Sequence, residues 1–184
     1  MREKNTKKPK IVEISIFITI VLFVFAITAI YNEKTVKTNT ELLSNKKIGW
    51  GIKRNDNHEQ PDVGSANKKV LEQYNGIALG NNEKKYIYLT FDEGYEAGYT
   101  SKILEVLKNN QVKATFFITA HYVNTQEELV KQMIEEGHIV GNHTVNHKSM
   151  PDLSEEKIKK EILELHQTIY DKFNYEMKYM RPPK

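Results

Sequence analysis

The sequence predicts an α/β protein in which an N-terminal transmembrane helix precedes about half of a (β/α) barrel. Three observations support this fold class. Residues 14–31 contain no charged side chain. From residue 86 onward, β-branched and aromatic runs alternate with amphipathic segments, which indicates parallel βαβ units. The pattern supplies four strands and three intervening helices, about half of a barrel that needs roughly 250 residues.

The N-terminal segment is predicted to anchor the chain in a membrane. Residues 1–10 form a basic head with five cations and one anion, and residues 11–31 form a largely apolar stretch. A stretch of about 20 residues can cross a bilayer as a helix. The positive-inside rule then places the N-terminus in the cytoplasm and the rest of this single-pass protein outside the cell membrane. A cleaved signal peptide and a buried soluble helix remain alternatives.

The charge distribution argues against a nucleic-acid partner. Five of the 27 basic residues and two of the 24 acidic ones lie in residues 1–31, which leaves 22 of each sign from residue 32 onward. Binding to DNA or RNA needs cations clustered on the folded part, and no such stripe is visible. The chain has no Cys, which excludes disulfide scaffolds and thiol nucleophiles.

The segments between the anchor and residue 86 are less regular. Residues 32–47 are polar and without periodicity, which predicts a linker. Residues 48–85 form an N-terminal extension with a short predicted helix at Asn67–Tyr74 and several turn signals. Residues 86–184 carry the regular strand and helix pattern and are predicted to form the main domain.

Within the main domain, hydrophobic periodicity defines seven elements. The predicted strands are Tyr86–Phe91, Val112–Ile118, His138–Gly141 and Glu176–Met180. The predicted helices are Ser101–Asn109, Thr125–Glu136 and Ser154–Phe173. Thr125 with Glu128 resembles a capping box, and Gly137 is a typical helix stop.

Three polar motifs follow predicted strand ends: Thr90–Gly94, His143–His147 and Arg181–Pro183. In parallel α/β folds the carboxyl ends of strands meet on one face, so these motifs are expected to converge. Two histidines four residues apart plus a carboxylate form a common metal site. Each motif alone has an ordinary alternative: solvated surface histidines, a turn with a capping carboxylate, or a strand stop. Their joint occurrence on successive strand ends favours a catalytic site.

In order and spacing, these motifs resemble the first three motifs of the polysaccharide deacetylases, carbohydrate esterase family 4. The family's first motif reads Thr-Phe-Asp-Asp-Gly, and its second reads His-Ser/Thr-x-x-His. The resemblance implies a distorted (β/α) barrel of polysaccharide deacetylase type and a divalent metal, usually zinc. It also implies hydrolysis of the N-acetyl group from amino sugars of a polysaccharide.

The resemblance assigns a role to each matching residue. Asp92 matches the catalytic base, and Arg181 matches the arginine that orients it. His143 and His147 match two metal ligands. Glu93 stands where the family usually has a metal-ligating Asp, and its longer side chain moves the oxygens by one methylene.

A narrower resemblance points to the delta-lactam-biosynthetic de-N-acetylases. It rests on Gly49–Gly51, Tyr74–Ile77 and Phe91–Glu96. These enzymes remove acetyl groups from muramic acid in spore cortex peptidoglycan, so the implied partner is a peptidoglycan glycan strand. Tyr95 and Pro182 are the implied substrate-binding positions, with the Tyr95 backbone N–H a candidate to hold the developing oxyanion.

The sequence stops at Lys184, inside the third motif, and no His follows His166. The family's later motifs supply a wall of the groove and a histidine that acts as general acid. We therefore expect the main domain to be incomplete and the 184-residue product to have little activity. Two alternatives remain: a non-catalytic, membrane-anchored protein that binds wall glycan, and an unrelated anchored α/β protein with coincidental motifs.

Overall fold

A computed structural model describes residues 18–29 and 47–183. The chain divides into two units, Met1–Asn45 and Lys46–Lys184. In the first unit, residues 18–29 are helical. No helix among the described residues is both long enough and apolar enough to span a membrane. The basic head, most of the linker and parts of the predicted anchor at 11–31 lie outside the described residues, so the anchor stays a prediction.

The second unit contains three strands and five α-helices among its described residues. In chain order these are α1 (Ser65–Gln73), β1 (Thr90–Glu93), α2 (Thr100–Asn109), β2 (Thr115–Ile118), α3 (Ala120–Thr125), α4 (Glu127–Glu135), β3 (Ile139–Asn142), a 3₁₀ turn (Met150–Asp152) and α5 (Glu155–Phe173). The strands form one parallel sheet in the order β1-β2-β3, as the alternating pattern predicts.

The strands are shorter than the sequence predicts. Strand β1 begins at Thr90 and not at Tyr86, because its single neighbour β2 begins opposite it, at Thr115. In the part of the chain that the structure describes, no strand pairs with residues 86–89, and Ile87 is 89% exposed. The predicted strand Glu176–Met180 is reduced to one parallel bridge, between Met180 and Asn142. The β-branched composition therefore indicates where the strands lie, and the number of residues that pair with a neighbouring strand sets the length of each strand.

The predicted helix Thr125–Glu136 is wrong in its N-terminal boundary and its cap. Helix α3 ends at Thr125 and α4 begins at Glu127, because Gln126 leaves the helical region with φ −133° and ψ 44°. The Thr125 hydroxyl donates to the His121 carbonyl at 2.9 Å and caps nothing. Thr119 is the N-cap residue of helix α3, and its Oγ1 accepts from the Tyr122 N–H.

The sheet separates a hydrophobic core from a more polar face. Phe116 and Ile118 of β2 and Val140 of β3 point to the core, where the helices contribute the buried side chains Leu104, Leu107, Tyr122, Val123, Val130, Met133, Leu165 and Ile169. Successive side chains of a strand point to opposite faces. The intervening residues Asp92, Phe117 and Gly141 therefore lie side by side on the other face, in register. That face carries the candidate site.

Candidate active site

Arg181 is the residue around which the site is built. Its Nη1 donates to Asp92 Oδ1 at 2.6 Å, and its Nη2 donates to Thr90 Oγ1 at 2.9 Å. The guanidinium lies 4.3 Å from the centre of the Phe117 ring, a cation–π distance. The Arg181 backbone N–H donates to the Asn142 carbonyl at 2.9 Å, which ties this segment to the end of β3. Residues 89 positions apart in the chain thus meet, as the strand-end argument predicts.

The Arg181 backbone also contacts the first histidine. His143 Nδ1 lies 2.8 Å from the Arg181 carbonyl oxygen. A carbonyl can only accept, so this nitrogen carries the proton and the lone pair of the neutral ring sits on Nε2. Burial lowers the pKa of His143, although the hydrogen bond to the carbonyl and the charge of Asp92 act in the opposite direction. A neutral imidazole with a free Nε2 is the form that binds a metal.

The second histidine faces the first. His147 Nε2 lies 3.0 Å from His143 Nε2, and the two rings meet edge to face. Two nitrogens bound to one tetrahedral zinc at about 2.0–2.1 Å are separated by roughly 3.3 Å. The observed separation is within a few tenths of an ångström of that value, and zinc binding requires the proton of this contact to move from His147 Nε2 to Nδ1.

The loop between the histidines is not the helical turn that four-residue spacing suggests. Thr144 and His147 both have left-handed backbones, with φ 71° and 55°. Two side chains hold this shape: Asn142 Oδ1 accepts from the Thr144 N–H at 2.9 Å, and Thr144 Oγ1 accepts from the His147 N–H at 3.0 Å. The left-handed residues turn the second ring back toward the first.

Glu93 is the third predicted metal ligand, and its position differs from that of the two histidines. Strand alternation places it on the face opposite Asp92. Burial raises the pKa of Glu93, and the negative charges of Glu96 and Asp92 raise it further. Within residues 18–29 and 47–183, no group of three or more His, Asp or Glu side chains is placed to hold a metal ion. Metal ligation by Glu93 stays a prediction, and the structure supports a two-histidine partial site.

The two predicted substrate positions lie at the surface. Tyr95 is 73% exposed, and Pro182 is also exposed. Tyr95 lies in the β1–α2 loop, two residues after Glu93, and Pro182 directly follows Arg181. Their contact with substrate remains a prediction.

Sequence analysis missed the residue that shapes the β1–α2 loop. Glu96 Oε1 accepts from the backbone N–H groups of Gly98, Tyr99 and Thr100, while Oε2 accepts from the buried Tyr122 hydroxyl at 2.9 Å. Burial raises the pKa of Glu96, but these hydrogen bonds outweigh it and leave the pKa at about 2. An acidic residue just before a predicted helix start was the available signal.

Comparisons with known proteins identify the family to which the sequence is similar. The model of the polysaccharide deacetylase family matches residues 79–184. An uncharacterized 30.6 kDa protein of Geobacillus stearothermophilus is 49% identical over 143 residues, which cover 77% of this chain and 54% of that protein. The peptidoglycan-N-acetylmuramic acid deacetylase PdaA of Bacillus subtilis is 42% identical over 145 residues, 78% of this chain and 55% of PdaA.

Solved structures show the same likeness. The structure of Bacillus subtilis PdaA, a family 4 carbohydrate esterase, matches with a TM-score of 0.73 over 77% of this chain and 61% of that one, at 42% identity. A family 4 carbohydrate esterase from Bacillus anthracis matches with a TM-score of 0.69, also at 42% identity, over 76% of this chain and 63% of that one. The chain spans about half the length of the curated relatives it matches. Coincidental motifs on an unrelated fold are excluded, and the chain belongs to the polysaccharide deacetylase family.

Proposed function

We propose that this protein is a metal-dependent hydrolase that removes N-acetyl groups from amino sugars of peptidoglycan. The observation that carries the proposal is the double role of Arg181, which holds Asp92 with its side chain and His143 with its carbonyl. A base and a metal ligand are thereby fixed to one residue on one face of the sheet. We further propose N-acetylmuramic acid in spore cortex as the target, with delta-lactam formation to follow. PdaA is named for muramic acid deacetylation, and the sequence resembles the delta-lactam branch.

The chemistry requires a base, an orienting group and ligands. His143 and His147 would hold a divalent ion, which we propose to be zinc, and the ion would polarise the acetyl carbonyl and activate a water molecule. Asp92 accepts the proton of the attacking water, whose oxygen bonds to the carbonyl carbon. Arg181 keeps the carboxylate aimed at that water. The C–N bond then breaks, the amine takes up the proton that Asp92 accepted, and acetate leaves.

Location at the membrane belongs to the same proposal. The basic residues 1–10 and the apolar residues 11–31 support a single-pass anchor with a cytoplasmic N-terminus. Such an anchor would present the site to the wall on the outer side of the membrane. Glycosylation-site or cysteine-accessibility mapping of residues 5 and 57 tests this topology: labelling of position 57 alone from outside supports it, and labelling of position 5 alone contradicts it.

The activity is tested with two proteins, because the chain spans about half of its relatives. One is the full chain. The other is a chimera in which residues 48–183 replace the matched part of Bacillus subtilis PdaA. Each is loaded with zinc and incubated with peptidoglycan glycan strands, and acetate release is measured. Mass spectrometry assigns the lost acetyl group to muramic acid or to glucosamine.

We expect the chimera to release acetate from muramic acid, and Asp92→Asn to abolish that release while the protein still binds zinc. A folded, zinc-loaded chimera that releases no acetate would contradict the proposed activity. Glycan binding without acetate release would favour the non-catalytic alternative. Loss of acetyl groups from glucosamine alone would overturn the assignment to muramic acid.

A further inference from the structure

The loop that carries both histidines is held by a side chain from a distant helix. Glu161 lies in the second turn of α5 and is buried, with 6% of its surface exposed. Its Oε2 accepts from the Asn146 backbone N–H at 2.7 Å, and its Oε1 accepts from the Asn146 side-chain amide at 2.8 Å. Its own backbone carbonyl accepts from the Val145 N–H at 3.1 Å. One residue therefore satisfies both backbone donors in the middle of the loop.

The loop needs such support because its backbone is unfavourable. Thr144 and His147 adopt left-handed conformations that side chains with a Cβ disfavour, and Thr144 is β-branched. A conformation of this kind persists only where surrounding contacts determine it. Thr144 and Asn142 secure the first half of the loop, as described above. Glu161 secures Val145 and Asn146, the residues that lead directly into the left-handed His147.

We propose that Glu161 is a positioning residue for the metal site: it sets the separation of the His143 and His147 Nε2 atoms without touching the ion. The inference rests on the proposed function, because it concerns the same two ligands. Loss of the carboxylate frees the Asn146 backbone, and the second imidazole then loses its fixed direction. Removal of an outer hydrogen-bond partner of a metal ligand typically costs about 10- to 100-fold in metal affinity.

A donor–acceptor exchange separates positioning from a general role in folding. In Glu161→Leu both Asn146 donors lose their acceptor, whereas Glu161→Gln retains both hydrogen bonds once the Asn146 amide flips to present its oxygen to the glutamine amide. In Asn146→Asp two carboxylates oppose each other. The double variant Glu161→Gln with Asn146→Asp restores both hydrogen bonds, since the glutamine amide now donates to the new aspartate and its oxygen still accepts the backbone N–H. Glu156→Gln, at an exposed position of α5, is the matched charge control.

The test measures zinc affinity of the full chain by competition with a chromophoric chelator, with the Co²⁺ absorption spectrum as a report on ligand geometry. Thermal unfolding of each metal-free variant monitors the fold. We expect Glu161→Leu and Asn146→Asp to bind zinc about 10- to 100-fold more weakly, with an altered Co²⁺ spectrum, and Glu161→Gln to stay within a few-fold of the parent. The double variant should recover the parent's spectrum and bind within a few-fold of it, and Glu156→Gln should match the parent.

Three outcomes separate this inference from the function on which it rests. Parent-like zinc affinity in folded Glu161→Leu overturns the positioning role alone. Failure of the parent to bind zinc overturns the metal site and the inference together. If Glu161→Leu does not fold, Asn146→Asp and the double variant decide: recovery in the double variant supports the inference, and equal zinc affinity of Asn146→Asp and the parent contradicts it.

Discussion

The two ends of strand β3 carry two buried histidines that the structure uses in opposite ways. His138 precedes the strand and His143 follows it, and they are 3% and 4% exposed. Burial is the main cause that lowers the pKa of each ring. Burial and pKa therefore do not distinguish them.

What distinguishes them is the partner of Nδ1. In His143 this nitrogen donates to the Arg181 carbonyl, which leaves the Nε2 lone pair facing His147. In His138 it accepts from the Ala114 N–H at 3.2 Å, so the proton resides on Nε2, which faces Glu136 Oε2 at 3.8 Å. The first tautomer suits a metal ligand, and the second joins β3 to the segment before β2. The hydrogen bond at Nδ1 thus separates the proposed metal ligand from a structural histidine.

The largest expected effect comes from removing both histidines of the proposed metal site. The double variant His143→Ala with His147→Ala should lose zinc entirely, because both proposed imidazole ligands are then missing. The matched variant His138→Asn should keep zinc within a few-fold of the parent. Elemental analysis after gel filtration measures the retained metal. Equal zinc content in the double variant and the parent would show that the pair is not the site.

A second variant separates the two contacts of Arg181. Arg181→Lys loses the fork that reaches Asp92 and Thr90 but keeps the backbone carbonyl that holds His143. Acetate release by the chimera should fall about 10²- to 10⁴-fold, the usual contribution of a positioned base. Zinc affinity should change little.

The exposed Lys178→Arg serves as the control for this variant and should keep full acetate release. A parallel loss of zinc and activity in Arg181→Lys would mean that the side chain, and not the carbonyl, positions the histidine.

A third prediction concerns the support beneath Arg181. A Cβ at Gly141 would meet the Phe117 ring at 2.5 Å, so Gly141→Ala must displace the ring on which the guanidinium rests. We expect a loss of about 1–3 kcal/mol in the free energy of unfolding, typical of overpacking. Gly94→Ala has nothing within 4 Å of its new Cβ and should be close to neutral. Urea denaturation compares them, and equal stabilities would contradict the packing argument.

The smallest expected effect is a pH dependence from His138. Burial lowers its pKa in the folded state, and the positive charge of Lys113 lowers it further, against an opposing effect of Glu136. The unfolded chain therefore binds the proton more readily, and stability falls as pH drops below the unfolded value of about 6.5. The slope of unfolding free energy between pH 7.5 and 5.5 should be shallower in His138→Asn than in the parent. An unchanged slope would contradict this assignment.

The convergence of the site residues can be predicted from the sequence because it follows from the parallel topology of the strands. Parallel strands bring Asp92, His143 and Arg181 to one end of the sheet wherever the exact boundaries fall. Strand alternation could also have placed Asp92 and Glu93 on opposite faces, since they are adjacent in β1. That argument was within reach of the sequence once β1 was recognised.

Other features depend on contacts that no local pattern encodes. The left-handed Thr144 and His147 depend on specific hydrogen bonds to Asn142, to Thr144 itself and to the distant Glu161, whereas the four-residue spacing suggests a helical turn. The break at Gln126 interrupts a segment whose periodicity is continuous. The hydrogen bond between Glu161 and Asn146 joins residues 15 positions apart. In the sequence, Glu161 is only one of several carboxylates on an amphipathic helix. Tertiary packing decides each of these cases.

We propose that His143, oriented by the Arg181 carbonyl, and His147 together bind one divalent ion. Long-range ¹⁵N–¹H NMR of the imidazoles during a zinc titration of the full chain tests it most directly. We expect the ¹⁵N chemical shifts of His143 Nε2 and of one His147 nitrogen to change together at one equivalent of zinc. His143 Nδ1 should stay protonated, and His138 should remain unchanged. If the protein is saturated with zinc while both His143 and His147 keep their metal-free chemical shifts, these two histidines are not the metal ligands.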